Sequence, residues 1–476
     1  MYEQLALYID GNFTRDGERQ QQDVINPATG VTIGKLPHAT RADLDQALEA
    51  AQNAFETWRK SSPLDRSKVL RRVAELARER VDGIARNITM DGGKTLAEAK
   101  GEVMGAAEHA EWHAEECRRT YGRVIPPRAP HIRQITVREP VGVCAAFTPW
   151  NFPFVLSMRK IAAAIGAGCT LVMKGPEESP SAVVALARLF HDAGLPPGCL
   201  NIVWGIPSEV SEYLITSPIV RKVSFTGSIP VGKHLAALAA ARMKRITMEL
   251  GGHSPVLVFE DAEIEKAAQT LAILKMRHAG QVCMAPSRFY VHEKVYDRFL
   301  DGLTKALSTL TVGDGLLPDT NMGPLVRERR VHAMETLVSD SVERGAKIIF
   351  GGERLKRDGF FFPPTVMTEV SDTAKVMMEE PFGPVVPVAR FSDTDDVLRR
   401  ANSVPYGLAS YVFTGSLKTS RYVSSNLEAG MVNINHFGIA LAETPMGGVK
   451  ESGIGSEGGT ETFEGYFLTK FISEAS

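Results

Sequence analysis

The sequence predicts an α/β protein: a doubly wound, mostly parallel sheet followed by a second α/β unit. Three observations carry the prediction. Between 143 and 250, apolar runs alternate with helical patterns about ten residues long, as parallel strands with crossover helices do. From 254 to 435 the alternation begins again with new strands. The chain has 476 residues, 44% apolar and 23% charged, which is enough for two or three domains with ample core.

The elements follow in chain order. LYIDGNF (7–13) and DVINPATGVTIGKLP (23–37) read as short strands around turns at Asp10-Gly11 and Pro27 to Gly30. From Thr40 to Cys117 the pattern is helical, opening with a Thr cap and apolar residues at three-to-four spacing. HIRQITVREPVGVCAAFTPWN (131–151) returns to strand. Helices over 156–167, 180–193, 208–216 and 231–241 then alternate with the strands TLVMKG, LNIVWG, KVSFTG and RITMEL. Ligands of such sheets bind beyond the carboxyl ends of the strands. In the second unit SPVLVFE, SRFYVHE, AKIIFGG, VVPVARF, ASYVFTG and AGMVNIN are strands, with helices over 262–279 and 294–309. TETFEGYFLTKFIS (460–473) reads as an extended tail with a terminal strand, able to pair across a subunit boundary or to fold back on its own chain.

Composition excludes several classes. Lys and Arg (54) balance Asp and Glu (56), and a net charge of -2 argues against a nucleic-acid surface or a polybasic membrane anchor. Cys117, Cys144, Cys169, Cys199 and Cys283 form no C-x-x-C pair, which argues against a metal site or a disulfide framework and for a reducing, cytoplasmic setting. The N-terminus lacks the basic and apolar regions of a secretory signal. The longest uncharged apolar run, IAAAIGAGCTLVM (161–173), is too short to cross a bilayer.

Five stretches could carry chemistry. GSIPVGKH (227–234) places Gly227, Gly232 and Lys233 as a phosphate-binding loop would, but His234 stands where a Ser or Thr should hold magnesium. What survives is a strand, a tight turn and a helix N-terminus, a geometry suited to an anion. Cys283 follows Ala279-Gly280 and is flanked by Gln281 and Pro286, a setting for a nucleophile. A lone cysteine is more often a small buried apolar residue, the reading that fits Cys144 and Cys169. Glu249 ends an apolar strand before two glycines, so partial desolvation would raise its pKa toward that of a general base; taken alone it could equally be a solvated strand end. Asn151, in TPWNFP, is stiffened by flanking prolines and could donate to an oxyanion, or could simply occupy a turn. Lys174 and Glu177 follow the next strand, where an acidic residue can accept from ribose hydroxyls. GIGSEG (453–458) matches G-x-G-x-x-G but opens no βαβ unit, and reads as a flexible glycine loop.

In this order the stretches resemble the NAD(P)-dependent aldehyde dehydrogenases. The likeness runs from VINPATG (24–30) through TPWNFP, FTGS, MELGGHSP, GQVC, EEPFGP and NSVPYGLASYVFT to PMGGVKESGIGSEGG (445–459). The resemblance implies Cys283 as nucleophile, Glu249 as general base and Asn151 as oxyanion donor. It implies coenzyme contacts at Thr148, Pro149, Trp150, Lys174, Glu177, Gly227, Ser228, Leu250, Gly251, Glu380 and Phe382. It also implies a Rossmann-like coenzyme domain (1–117 and 141–247), a catalytic domain (248–435), a return segment (436–456) and a small β flap for oligomerisation (118–140 and 457–476) in a homodimer or homotetramer.

Within the family the chain is most similar to succinate-semialdehyde dehydrogenase, which implies that Arg159 and Arg277 clamp the substrate's distal carboxylate. Two departures stand out. Ala440 and Leu441, in GIALAET (438–444), replace the subfamily's substrate-loop serine, and Ala285 replaces a second, redox-active cysteine. Glu177 favours NAD over NADP, because a carboxylate repels a 2′-phosphate. An aromatic or medium-chain aldehyde is the alternative substrate, and a catalytically silent binding relative is the alternative class.

Overall fold

A computed structural model describes residues 2–15, 17–438 and 440–475. Ile439, inside the 438–444 segment, lies outside the described residues, as do positions 1 and 476 at the ends of the expected domain ranges.

Four helices come first, each with its own start or stop signal. Thr40 with Asp43, and Thr95 with Glu98, form capping boxes before Arg41–Trp58 and Leu96–Glu116. Ser62 caps Pro63–Glu79, whose proline sits where no N–H is needed. Val81–Gly92 stops at Gly93, which takes a left-handed φ of 83°.

The helices lie against an eight-stranded sheet. Its centre is five parallel strands in the order Arg245–Glu249, Val220–Thr226, Val143–Phe147, Thr170–Lys174, Leu200–Val203. The inner strands are buried on both faces, so they read as continuous apolar runs instead of alternating ones. Antiparallel strands close the edges: Leu7–Ile9 with Asn12–Thr14 on one side, Gly453–Ile454 on the other. Strand order reverses between Val143–Phe147 and Val220–Thr226, and the crevice beyond their carboxyl ends is where such a sheet binds ligands.

A second sheet of seven strands runs Lys347–Phe350, Thr365–Thr368, Val385–Phe391, Pro286–His292, Ser254–Val258, Ala409–Phe413, Met431–Ile434, parallel except for its first pair. The two sheets have separate apolar cores. The sequence reading leaves 310–345 unassigned, where the helix Glu328–Glu343 forms, and it omits Thr365–Thr368, a four-residue strand too short for alternation to register. The helix expected over 262–279 ends at Met276, because His278 and Ala279 turn left-handed.

The tail folds on its own chain. Phe467–Ala475 pairs antiparallel with Ile132–Pro140, and Arg123–Ile125 completes a three-stranded sheet. The preceding Thr460–Tyr466 is 3₁₀ helix, not extended.

The glycine loop 453–458 corrects a second expectation. It is built into the structure: Gly453–Ile454 pairs with Met248 and Glu249, and Glu457 is buried. Just before it, the Ser452 hydroxyl donates to the Gly251 carbonyl at 2.7 Å and accepts the Gly407 N–H at 2.9 Å. A pairing between residues some two hundred positions apart leaves no trace in local pattern.

Candidate active site

Cys283 sits on the loop between Met276 and Pro286. Its approach is strained: His278 and Ala279 have φ of 48° and 52°. Gly280 continues the left-handed run at 74°, and a Cβ there would run into the Gly383 carbonyl. Side chains from several elements hold this path. Buried Gln281 donates from Nε2 to the His278 carbonyl (3.1 Å) and accepts the Val326 N–H (3.0 Å). Glu98, in the cap of the helix Leu96–Glu116, accepts the His278 N–H at 2.7 Å. Tyr411 donates to the Met284 carbonyl at 2.7 Å. The half-buried Cys283 lines a cavity of about 180 Å³ that lies between the two sheets. Burial pushes its thiol up to about 12, with Glu380 and Glu249 adding and Arg159 opposing.

Asn151 lines the same cavity. It is 2% exposed; its Nδ2 donates to the Gln281 carbonyl at 3.0 Å, which leaves a second amide proton available. Its backbone carbonyl accepts from Lys94, which also pairs with Glu102 and lies 3.8 Å from the centre of the Phe152 ring.

Glu249 is more deeply placed than a partly desolvated strand end. It is 1% exposed and neither carboxyl oxygen has a hydrogen-bond partner. Desolvation, first, and the nearby Glu457 raise its pKa well above the ordinary value, against the pull of Lys160 and Arg159. Glu457 pairs with Lys160, and the Lys160 ammonium donates on to Ser224 at 3.1 Å.

The two arginines take different positions on the cavity. Arg159 is buried, donates to the Ala440 carbonyl (2.7 Å) and toward the Met446 sulfur (2.8 Å), and has no partner at Nε. Arg277 is exposed and stacks on the Phe152 ring at 4.9 Å. Neither arginine enters an ion pair among the described residues, which for the buried Arg159 is rare.

A model of the aldehyde dehydrogenase family matches residues 13–472. The chain belongs to the aldehyde dehydrogenase family.

The relatives of this aldehyde dehydrogenase match it from end to end. It is 46% identical to the 4-(hydroxymethyl)benzenesulfonate dehydrogenase of Comamonas testosteroni, over 99% of this chain and 98% of that one. It is 40% identical to the 3-sulfolactaldehyde dehydrogenase of Pseudomonas putida, over 98% and 96%. The crystal structure of a succinate-semialdehyde dehydrogenase from Burkholderia pseudomallei superposes with a TM-score of 0.97 at 40% identity, over 99% and 98%. The fold and the membership in the NAD(P)-dependent aldehyde dehydrogenases therefore stand.

The aldehyde dehydrogenase has room for a nicotinamide coenzyme at the switch point. A cavity of about 520 Å³ is lined there by Thr148, Lys174, Ser211, Phe225, His234 and Leu235. Lys174 is paired with Glu177 at 2.5 Å, and both are buried. Ser228, exposed at the start of the helix Ile229–Ala240, spends its hydroxyl on no cap. Gly227 differs from expectation, since its N–H donates to the Glu249 carbonyl at 3.0 Å and is not free for an anion. Gly232 has a packing reason: any side chain there would strike Leu250. On the side nearer Cys283, Gly251 is a close approach, where a Cβ would lie 2.6 Å from Glu380 Oε2. Burial raises Glu380 to about 7, although it accepts the Gly252 N–H at 3.1 Å. Trp150, just after Pro149, meets Phe382 edge to face at 5.5 Å, and Phe382 has a left-handed φ of 44°. These residues fit a dinucleotide in kind: a buried cation with a carboxylate, a helix N-terminus whose first hydroxyl is uncommitted to a cap, and a second carboxylate with aromatic rings.

Sequence reasoning missed Lys94, Glu98, Glu102, Lys160 and Glu457. The capping box was the only local sign of any of them. Lys94 and Glu102 pair eight positions apart, but their contacts with 151–155, and the pair of Lys160 with Glu457, join residues dozens to hundreds of positions apart.

Proposed function

We propose that this aldehyde dehydrogenase oxidises a small aldehyde with an anionic group at its far end, of which succinate semialdehyde is the reference, and that Cys283 is the nucleophile. The observation that carries the anionic end is Arg159, a buried guanidinium on the cavity of Cys283 that enters no ion pair among the described residues, with Glu457 and Glu249 acting on it only through space. The relatives named above support this reading, because the substrates they are named for are sulfonated or carboxylated. A second reading, an aromatic or medium-chain aldehyde, is favoured by the apolar Leu441 and Met284 on the same cavity.

The chemistry follows from the side chains. The Cys283 sulfur adds to the aldehyde carbon, and its proton passes to Glu249. Asn151 Nδ2 and the Cys283 N–H, which no carbonyl takes among the described residues, donate to the new oxyanion. One such donor is worth on the order of 3–4 kcal/mol at the transition state. A bound nicotinamide coenzyme supplies the oxidant for the carbon. Once Glu249 has released the thiol's proton to bulk water, it draws a proton from the water that hydrolyses the thioester, and its raised proton affinity suits that task. On this reading 1–117 and 141–247 hold the coenzyme, and 248–435 carry the thiol. The Glu177 carboxylate on Lys174 argues for NAD over NADP.

Coenzyme reduction with succinate semialdehyde and with hexanal, in wild type, Arg277→Ala and Arg159→Gln, is the test. Loss of a charged contact should raise KM for the anion by roughly 10- to 100-fold and leave hexanal much less affected. Equal losses for both aldehydes would refute the clamp. Arg277 is exposed, so its variant remains informative if the buried one misfolds.

A further inference from the structure

We propose that the substrate carries a ring between its aldehyde and its anionic end, and that Gly101 and Gly105 are the specificity residues that make room for it. The inference rests on the anionic-substrate reading above and narrows it.

Gly101, Gly105 and His109 stand at i, i+4 and i+8 on the helix Leu96–Glu116, and so share one face along about 12 Å of its length. All three line the cavity of Cys283, Asn151, Arg159 and Arg277. Glycine is among the weakest helix formers, so two of them mid-helix need a reason. Backbone shape is not the reason, because neither has a positive φ. Close packing is not the reason either, because a Cβ at each would meet nothing within 4 Å. What a side chain would fill is the cavity.

His109 supplies the sign of a ligand. It is 3% exposed and its Nδ1 has no partner. Burial holds the imidazole neutral, so it adds a hydrogen-bonding group without a second charge beside Arg159. Size agrees. The cavity is about 180 Å³, and an apolar cavity of ~150 Å³ takes up benzene. Phe152, Val155, Leu156, Val282 and Met284 give its walls an apolar character that two methylenes of a short semialdehyde could not cover. Leu441 and Ala440 extend the apolar wall. The ring lies along the glycine face, and its anion, a carboxylate or a sulfonate, meets the arginines.

The experiment compares kcat/KM for 4-formylbenzoate, 4-formylbenzenesulfonate and succinate semialdehyde, with hexanal as the uncharged reference. Wild type should prefer at least one ring anion over succinate semialdehyde by about tenfold or more. The two ring substrates decide between carboxylate and sulfonate. Gly105→Leu and Gly101→Leu, both substitutions that favour the helix, should lower the ratio of ring anion to succinate semialdehyde by about tenfold or more, with the thermal midpoint held or raised. A ratio that does not move in either folded variant overturns the role of the glycines. A wild type that oxidises succinate semialdehyde and rejects both ring anions overturns the ring and leaves the anionic-substrate reading in place. A wild type that prefers hexanal to every anion overturns both.

Discussion

Burial beside other acids raises the pKa of both Cys283 and Glu249, and Glu249 adds to the rise at the thiol. The resting thiol is therefore a poor nucleophile at neutral pH, and binding of substrate and coenzyme must shift the balance. The direction is testable. A thiol raised to about 12 is almost wholly protonated at pH 7 and gains thiolate as the pH climbs. Alkylation of Cys283 by iodoacetamide in the coenzyme-free protein, followed by mass spectrometry, should accelerate about tenfold per pH unit from 7 to 9 with no plateau. A plateau below pH 8 would mean that some group on the folded chain lowers the thiol instead. Cys283 itself was legible in the sequence because Ala279-Gly280 and Pro286 frame it. The depth of Glu249 was not, because desolvation depends on what packs over a strand end, and Glu457 comes from the far end of the chain.

At the scale of elements, the helix Leu96–Glu116 does more than pack. Its cap residue Glu98 gives one oxygen to Thr95 and the other to the His278 N–H, at 2.9 and 2.7 Å. Its Glu102 accepts the N–H groups of Phe154 and Val155 at the start of the helix Pro153–Ala167, just after Asn151. One helix thus ties both the Cys283 loop and the segment just after Asn151, the proposed oxyanion donor. Glu98→Ala should cost about 1 kcal/mol in unfolding experiments, as lost caps do. It should also lower kcat by more than that stability loss explains, because the left-handed His278-Ala279 turn loses a tie. Restoration of kcat by Glu98→Gln, which keeps an acceptor, would confirm the positioning; unaltered kcat in the alanine variant would count against it. The sequence announces this helix by its capping box. It does not announce where the second carboxylate oxygen goes.

At the scale of the molecule, there are two large apolar cores, and a thin three-stranded sheet is anchored to the first by Phe467. That sheet presents Val124 and Phe471 to solvent at 84% and 55% exposure, and the loop before it presents Tyr121 at 74%. Exposed apolar side chains on an unsheltered sheet favour association, and we expect a dimer or tetramer built through it. Removal of 467–476 should convert the assembly to monomer or aggregate in light scattering coupled to size exclusion. A truncated chain that keeps the native mass ratio would place the interface elsewhere. No helix among the described residues is long and apolar enough to cross a membrane.

The sequence by itself determined the alternation of strands and helices and the family, and it marked Cys283, Glu249 and Asn151 as the candidates for catalysis. Those features are local: a period, a cap, a run of six residues. Only the tertiary structure decided that the glycine loop 453–458 opens with an edge strand and buries Glu457, that the Gly227 N–H is already used, and that Arg159 lines the cavity with no ion pair among the described residues. Burial and pairing are set by residues far apart in the chain, so no local pattern records them.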